Sequence, residues 1–250
     1  MHRILRSIVV FSVFAGAVSL AAQTANDILA RHEDAIGGKA VISQVKSISM
    51  ETTSHVGESD IPGTMVTLEG VASRTEMNLQ GAKMVQCYTA SGGWMVNPMA
   101  GITDPTPMPD DAFQAGKNQI YVGGDLHDYA APGNKLELLS KDANTYTIKL
   151  TTRDNIESTY VFDAATYLVK SITRKGKLQD QDVIITTSLS DYRKTDIGLM
   201  VPYAINIDLG GQFSMSITVN KVATNKPVDP DLCAMPKASP PPAVGKPAQN

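Results

Sequence analysis

Apolar and polar positions along the chain follow two different periods. In "TANDILARHEDAIGG", residues 24–38, Ile28, Leu29, Ala35 and Ile36 fall roughly on one face at helical spacing. This predicts an amphipathic helix. Thr24 followed by Asp27 is close to a capping box, and Gly37-Gly38 is a C-terminal stop. "KAVISQV" adds one more short helical turn. From Ile48 the period becomes two. Ile48, Met50 and Thr52 alternate with Ser49 and Glu51, and Val66, Leu68, Gly70 and Ala72 form a second alternation. "KMVQCYTA" and "WMVNP" flank "SGG", a hairpin signal. The alternation lapses over residues 98–110, where Pro98, Pro105, Pro107 and Pro109 keep the chain out of a sheet interior. "PDDAFQAGKNQIYVGGDLHDYA" then predicts two short helices broken at Gly123-Gly124, with Asp110-Asp111 at a helix start.

Strands return after Gly133. Tyr146, Ile148 and Leu150 share one face, and Ile156, Tyr160 and Phe162 share another, across an "RDN" turn. Val183, Ile185, Thr187 and Leu189 alternate. So do Tyr203, Ile205, Ile207 and Leu209, and, beyond "GGQ", Phe213, Met215, Ile217 and Val219. The pattern predicts roughly nine to eleven strands on short turns, hence antiparallel neighbours. One side of such a sheet is Lys, Asp, Thr and Ser; the other is Ile, Met, Leu, Tyr and Phe and needs a cover. The available covers are the N-terminal helix and the helical insert near residues 110–130. The expected fold is mainly β with α, a curved antiparallel sheet whose helix-covered face encloses an apolar space.

The two ends of the 250-residue chain read differently. "MHRILRSIVVFSVFAGAVSLAAQ" has the basic start, apolar run and small-residue end of a secretory signal peptide over 1–21. Cleavage fits best after Ala21 and next best after Ala22. A membrane anchor is the alternative, but the apolar run is shorter than the roughly 20 residues a bilayer needs. The Pro-rich end 236–250 lacks aromatic residues and is expected to be disordered. One domain is expected over 22–235. Without Arg3 and Arg6 the 22 basic residues fall to 20 against 25 acidic ones, a net charge of about −5. That offers no attraction to nucleic acid.

Candidate chemistry is sparse. His32, His55 and His127 stand in no metal-ligand spacing, and neither a nucleophile elbow nor a phosphate loop is present. "HED" at 32–34 reads as a solvated helix face. Asp191, Arg193 and Asp196 read as a solvated corner between strands, with Tyr192 packing inward. A catalytic site, a cofactor and a metal are therefore not expected; a hydrolase with a dispersed site is the remote alternative. Eleven methionines in a chain with one Trp suggest an adaptable apolar lining. Candidate lining positions are Met50, Met65, Met84, Trp94, Phe113, Tyr203, Ile205, Phe213, Met215 and Ile217. Trp94 suits either a hairpin plug or a cavity rim. Cys87 and Cys233 suit either a disulfide in an exported protein or two buried thiols.

Several stretches together resemble one family. "ILARHEDAIGGKAVISQVKSISM", "GGWMVNP", "YVFDAATYLVKSI", "SDYRKTDIGLMVPYAI" and "NKPVDPDLCAMP" are similar, in that order, to bacterial periplasmic outer-membrane lipoprotein-sorting proteins of the LolA-like superfamily. Cys233 departs from the group, which often carries an aromatic there. The resemblance implies a half-open β-barrel with helices over its concave face and a cavity for acyl chains. It implies a periplasmic, monomeric carrier that takes lipid or lipoprotein from an inner-membrane donor to an outer-membrane acceptor without chemical change. The alternative on the same fold is an envelope sensor that grips a partner protein.

Overall fold

A computed structural model describes residues 23–79, 81–178 and 181–236. The leader expected over 1–21 and the tail expected over 236–250 lie outside these residues, except Pro236. The elements in chain order are α1 (Ala25–Ala35), α2 (Gly38–Ile42), β1 (Ser47–Val56), β2 (Ser59–Leu68), β3 (Ala72–Leu79), β4 (Ala82–Thr89), β5 (Gly93–Asn97), β6 (Ile102–Pro107) and α3 (Asp110–Gly116). They continue with β7 (Lys135–Lys141), β8 (Thr145–Thr151), β9 (Glu157–Asp163), β10 (Val169–Leu178), β11 (Gln181–Lys194), β12 (Met200–Leu209) and β13 (Ser214–Thr224).

Among the described residues, thirteen strands form one antiparallel sheet in the order β6-β5-β4-β3-β2-β1-β13-β12-β11-β10-β9-β8-β7. Hairpins join neighbours everywhere except at the β1–β13 seam, where the first and last strands pair, and between β6 and β7, the two edges. The sheet therefore curves without closing. Two short 3-10 turns, Lys117–Ile120 and Gly124–Asp128, follow α3 and complete the insert that links the edges. The strand count exceeds the expected nine to eleven for two reasons. The alternation from Val66 to Ala72 is broken by a turn, so it belongs to two strands. The Pro-rich stretch also contributes β6, an edge strand, where the missing N–H of Pro105 and Pro107 is tolerated.

Side chains directly opposite in an antiparallel pair share a face. Met50 lies opposite Met65 and Val222. On the far half, Ile148 lies opposite Leu138 and Tyr160, and Tyr146 lies opposite Phe162. Tyr160 and Phe162 thus share the face of Tyr146, Ile148 and Leu150 and not a separate one. Onto this inner face α1 lays Ile28 and Leu29, both essentially inaccessible to solvent. Its N-terminus is fixed as the sequence suggests: the Thr24 hydroxyl oxygen accepts from the Asp27 N–H, and the Asp27 carboxylate accepts from the Thr24 N–H. The insert packs on the other half through Ile120, Met108 and Phe113 against Tyr88. Gly116 is required there, since a Cβ would sit 2.4 Å from the Tyr88 ring.

The outer face is not uniformly polar. Ala72, Val85, Cys87 and Trp94 form an apolar cluster on it, covered by Leu232 and Cys233 from the C-terminal segment. Cys87 and Cys233 are joined in a disulfide across 146 residues, with Cα atoms 5.5 Å apart. The Trp94 Nε1–H donates to the Cys233 carbonyl at 2.8 Å. Arg74 stacks over the same indole at 5.3 Å and donates to the Leu232 carbonyl.

Candidate functional site

Between the inner face and the helices lies a half-open cavity of about 300 Å³. Its sheet wall comes from Ile48 and Met50 of β1, Val169, Ile172 and Arg174 of β10, Leu189 and Tyr192 of β11, and Val201 of β12. The opposite wall is His32 and Ile36 from the end of α1, with Tyr121, Val122 and Leu126 of the insert. Alternation fixes which strand residues face inward, so the wall is largely aliphatic. A volume of this size is at the lower end of the roughly 300–1,000 Å³ of ligand pockets.

A second chamber of about 300 Å³ adjoins it. His32, Ile36, Val122, Gly123 and Leu126 belong to both. The second chamber is mixed in character, with Leu29, Ile42 and Tyr129 beside Glu33, Lys39, Glu69, His127 and Asp128 in its wall. A strap over residues 121–128 runs between the two. Gly123 (φ 89°) and Gly124 (φ 57°) let it turn back, in a region that side-chain-bearing residues avoid. The strap is held at its base, bound once along its length and braced within itself. Gly70 N–H donates to the Ile120 carbonyl at 2.8 Å, Val122 N–H donates to Glu69 Oε2 at 2.8 Å, and Tyr121 stacks on His127 at 3.7 Å. Burial raises the Glu69 carboxyl above its ordinary range, against the opposing pull of the Val122 N–H and His127.

One charged cluster enters the apolar chamber. Arg174 Nη2 meets Asp125 Oδ2 at 2.8 Å and the Tyr160 hydroxyl at 3.5 Å, while Nη1 donates to the Ala115 carbonyl at 3.3 Å. Asn118 and Ser158 also donate to the Asp125 carboxylate. Arg174 Nε is buried without a partner. Burial pushes the Tyr160 phenol up to about 12. For Arg174, burial acts downward, but Tyr160 and Asp125 outweigh it and the guanidinium ends above its ordinary value. The cluster is thus a closed, neutral pair: the positive charge at the cavity wall is already matched.

His32 is buried, which corrects the solvated reading of "HED". Its Nδ1 lies 2.9 Å from the Tyr167 carbonyl, which can only accept, so Nδ1 carries the proton. Phe162 meets its ring edge-on at 5.2 Å. Burial lowers the imidazole below its usual value, with the Tyr167 bond opposing. Among the described residues no cluster of three or more His, Cys, Asp or Glu could hold a metal ion, and no helix is long and apolar enough to cross a membrane.

Of the ten candidate lining positions, Met50 lines the apolar chamber. Met65 and Met84 share the inner face without reaching the chamber: Met65 lies opposite Met50, and Met84, on β4, opposite Met77 on β3. Phe113 packs under α3 with Tyr88. Tyr203 joins the cluster of Val45, Ile48 and Leu199 and carries the Arg193 guanidinium 4.4 Å from its ring. Ile205, Ile217 and Met215 sit further along β12 and β13, on the face of Leu189 but beyond the cavity. Phe213 is exposed in the hairpin. Trp94 is on the outer face, as a plug and not a rim. For the inner-face strand positions the reason is common: that face is longer than the cavity, which occupies only the end where β10 and β12 begin and β11 finishes. Asp191 and Arg193 form an exposed ion pair at 2.6 Å, as expected of a solvated corner. Tyr192 turns inward and donates its hydroxyl to the Val169 carbonyl at 2.9 Å.

Arg174 and Asp125 were not singled out from sequence, and His32 was read there as solvated. Two of them had a signal. His32 follows Ile28 by four residues, on the apolar stripe of α1. Arg174 follows Ile172 by two, so it must face inward. Asp125 had none, because only the folded insert brings it to Arg174.

The sequence matches no family model and no curated protein. Solved structures do match. A putative outer membrane lipoprotein-sorting protein domain from Vibrio parahaemolyticus is 10% identical, with 83% of this chain and 97% of that one covered and a TM-score of 0.55. A DUF1329 family protein from Desulfovibrio piger is 11% identical over 85% and 98%, with a TM-score of 0.56. A LolA superfamily protein from Nitrosomonas europaea is 10% identical over 84% and 97%, with a TM-score of 0.54. The fold of this chain is LolA-like.

Proposed function

We propose that this protein is an exported, periplasmic carrier that holds an acyl chain of a lipid or lipoprotein in its apolar cavity and releases it, chemically unchanged, towards the outer membrane. An inner-membrane donor and an outer-membrane acceptor are the partners this implies. The observation that carries the reading is the half-open, aliphatic chamber of about 300 Å³ between the sheet and α1, whose one charge is already paired. The fold shared with a lipoprotein-sorting domain supports it. Burying a methylene contributes about 0.8 kcal/mol, so a twelve-carbon chain gains roughly 10 kcal/mol before association costs of at least about 4 kcal/mol. That balance suits a carrier, which must extract its cargo and also let it go.

The test is native mass spectrometry of protein isolated from the periplasm, followed by titration of delipidated protein with a fluorescent fatty acid. Copurified lipid and saturable binding support the carrier. A protein that carries none and binds none, but crosslinks to a protein in the envelope, would replace this reading with partner recognition.

A further inference from the structure

The carrier reading leaves the polar end of the cargo open, and one buried side chain narrows it. Resting on that reading, we infer that His32 Nε2 is a ligand-binding acceptor in the wall of the apolar chamber, and that the cargo is an alkyl or acyl chain whose polar end carries a neutral hydrogen-bond donor, a hydroxyl or an amide N–H.

His32 is only 7% exposed and stands in the wall of the apolar chamber. Its ring is held in place. Nδ1 is bound to the Tyr167 carbonyl at 2.9 Å, and Phe162 meets the ring edge-on at 5.2 Å. The carbonyl is presented from a strained turn. Tyr167 has φ 60°, a left-handed conformation that bulky residues avoid, and its N–H donates to the Asp163 carbonyl at 2.8 Å. Because Nδ1 carries the proton, Nε2 of the neutral ring offers a lone pair and can only accept. Burial, which lowers the imidazole below its usual value, keeps the ring neutral at pH 7. Among the described residues Nε2 has no hydrogen-bond partner; the ring's one bond is that of Nδ1. Nε2 is not sealed off either, since the side-chain polar atoms buried without a partner are Asn97 Oδ1 and Arg174 Nε. The open space beside His32 is that of the chambers it lines.

An unpaired acceptor in an aliphatic wall selects by what it lacks. Neighbouring polar groups of that wall are already engaged, Arg174 Nη2 with Asp125 and the Tyr192 hydroxyl with the Val169 carbonyl. A ligand hydroxyl or amide N–H that reaches Nε2 recovers the hydrogen bond it gave up in water. An ether or a tertiary amide has no proton to give, so it takes water from Nε2 and returns nothing. A carboxylate, which only accepts, meets Nε2 lone pair to lone pair and is held by its chain alone. Size sets the rest. A cavity of about 150 Å³ takes one benzene ring, so a chamber of twice that volume takes roughly twelve non-hydrogen atoms. The apolar chamber, at about 300 Å³, therefore suits a medium chain with a small head.

Delipidated protein is titrated calorimetrically with two matched pairs of probes that differ in the donor: decanol against decyl methyl ether, and N-methyldecanamide against N,N-dimethyldecanamide. The ether is more apolar than the alcohol, so chain burial alone would favour it. The alcohol should nevertheless bind about fivefold more tightly than the ether, and the secondary amide about fivefold more tightly than the tertiary one, the advantage of one net hydrogen bond. In His32→Leu the alcohol should lose that lead and the ether should bind at least as tightly. Nitrogen NMR of the wild-type protein gives a readout that does not depend on how the variant folds. The unprotonated Nε2 resonance of His32 should move towards the protonated type when decanol binds and stay in place with the ether. An ether that binds the wild type as tightly as the alcohol, or an alcohol lead that survives in folded His32→Leu, overturns the acceptor role while leaving a carrier. An Nε2 resonance of the protonated type in the free protein overturns it as well. Failure of all four probes to bind overturns the carrier reading itself and the acceptor role with it.

Discussion

The disulfide offers a perturbation whose size follows from the topology. Cys87 and Cys233 close a loop of 146 residues that contains ten of the thirteen strands entire or in part. In the chain-entropy model, opening a loop of that length removes about 5 kcal/mol of stability by freeing the unfolded chain. For a domain of this size each kcal/mol moves the melting temperature by about 2–4 °C, so full reduction should lower it by about 10–20 °C. The native state itself should change little, because Trp94 and Arg74 still bond the Cys233 and Leu232 carbonyls. The assay is thermal unfolding of oxidised and reduced protein, with thiols titrated in denaturant before and after reduction. No thiols and then two thiols are expected. Lipid affinity, measured well below both transitions, should be the same in the two forms, since the bond lies on the outer face and the cavity on the inner one. A reduced protein with two free thiols that melts within about 2 °C of the oxidised form would refute the loop-closure reasoning. A loss of lipid affinity on reduction would refute the separation of the two faces.

Other outcomes follow from single side chains. Asp125→Ala leaves Arg174 buried without its partner and should cost about 3–5 kcal/mol in urea denaturation, much of it recovered by adding Arg174→Met; a loss under 1 kcal/mol would mean that water already solvates the pair. Leu189→Trp fills the apolar chamber and should weaken fluorescent fatty acid binding more than tenfold in a protein that still folds cooperatively, whereas unchanged affinity would place the ligand elsewhere. His32 is held neutral by burial and so binds its proton more weakly in the folded state. Its contribution is therefore complete above the unfolded pKa of about 6.5 and is lost as pH falls through the lowered native value. The stability difference between wild type and His32→Gln should shrink over that window, and parallel curves from pH 7 to 5 would contradict it. Trp94 is the sole tryptophan and faces away from the cavity, so its emission should not shift on lipid binding; a blue shift would return it to the cavity rim.

Local pattern alone determined much of this protein. The capping box at Thr24, the helical stripe of Ile28 and Leu29, the period-two runs and the hairpin turns each depend on residues a few positions apart, and each can be read where it stands. Pro-rich residues 102–107 were legible as unable to enter a sheet interior, but the pattern could not tell a loop from an edge strand. That choice depends on whether β5 has a free side to pair with, a property of the assembled sheet. The site was legible only in outline. Apolar alternation announced an inner face needing a cover, yet that face runs the whole length of the strands, and the cavity occupies one end. Met215 and Met50 therefore look alike in sequence and differ in the structure. Trp94 and Cys87 alternate as any strand residues do, and their place on the outer face was fixed by the segment of Leu232 and Cys233, the latter 139 residues from Trp94 and 146 from Cys87. Asp125 meets Arg174, and Tyr192 reaches Val169, for the same reason. Secondary structure is set by neighbours along the chain, whereas the cavity, its strap and its paired charge are set by which distant segments the curved sheet brings face to face.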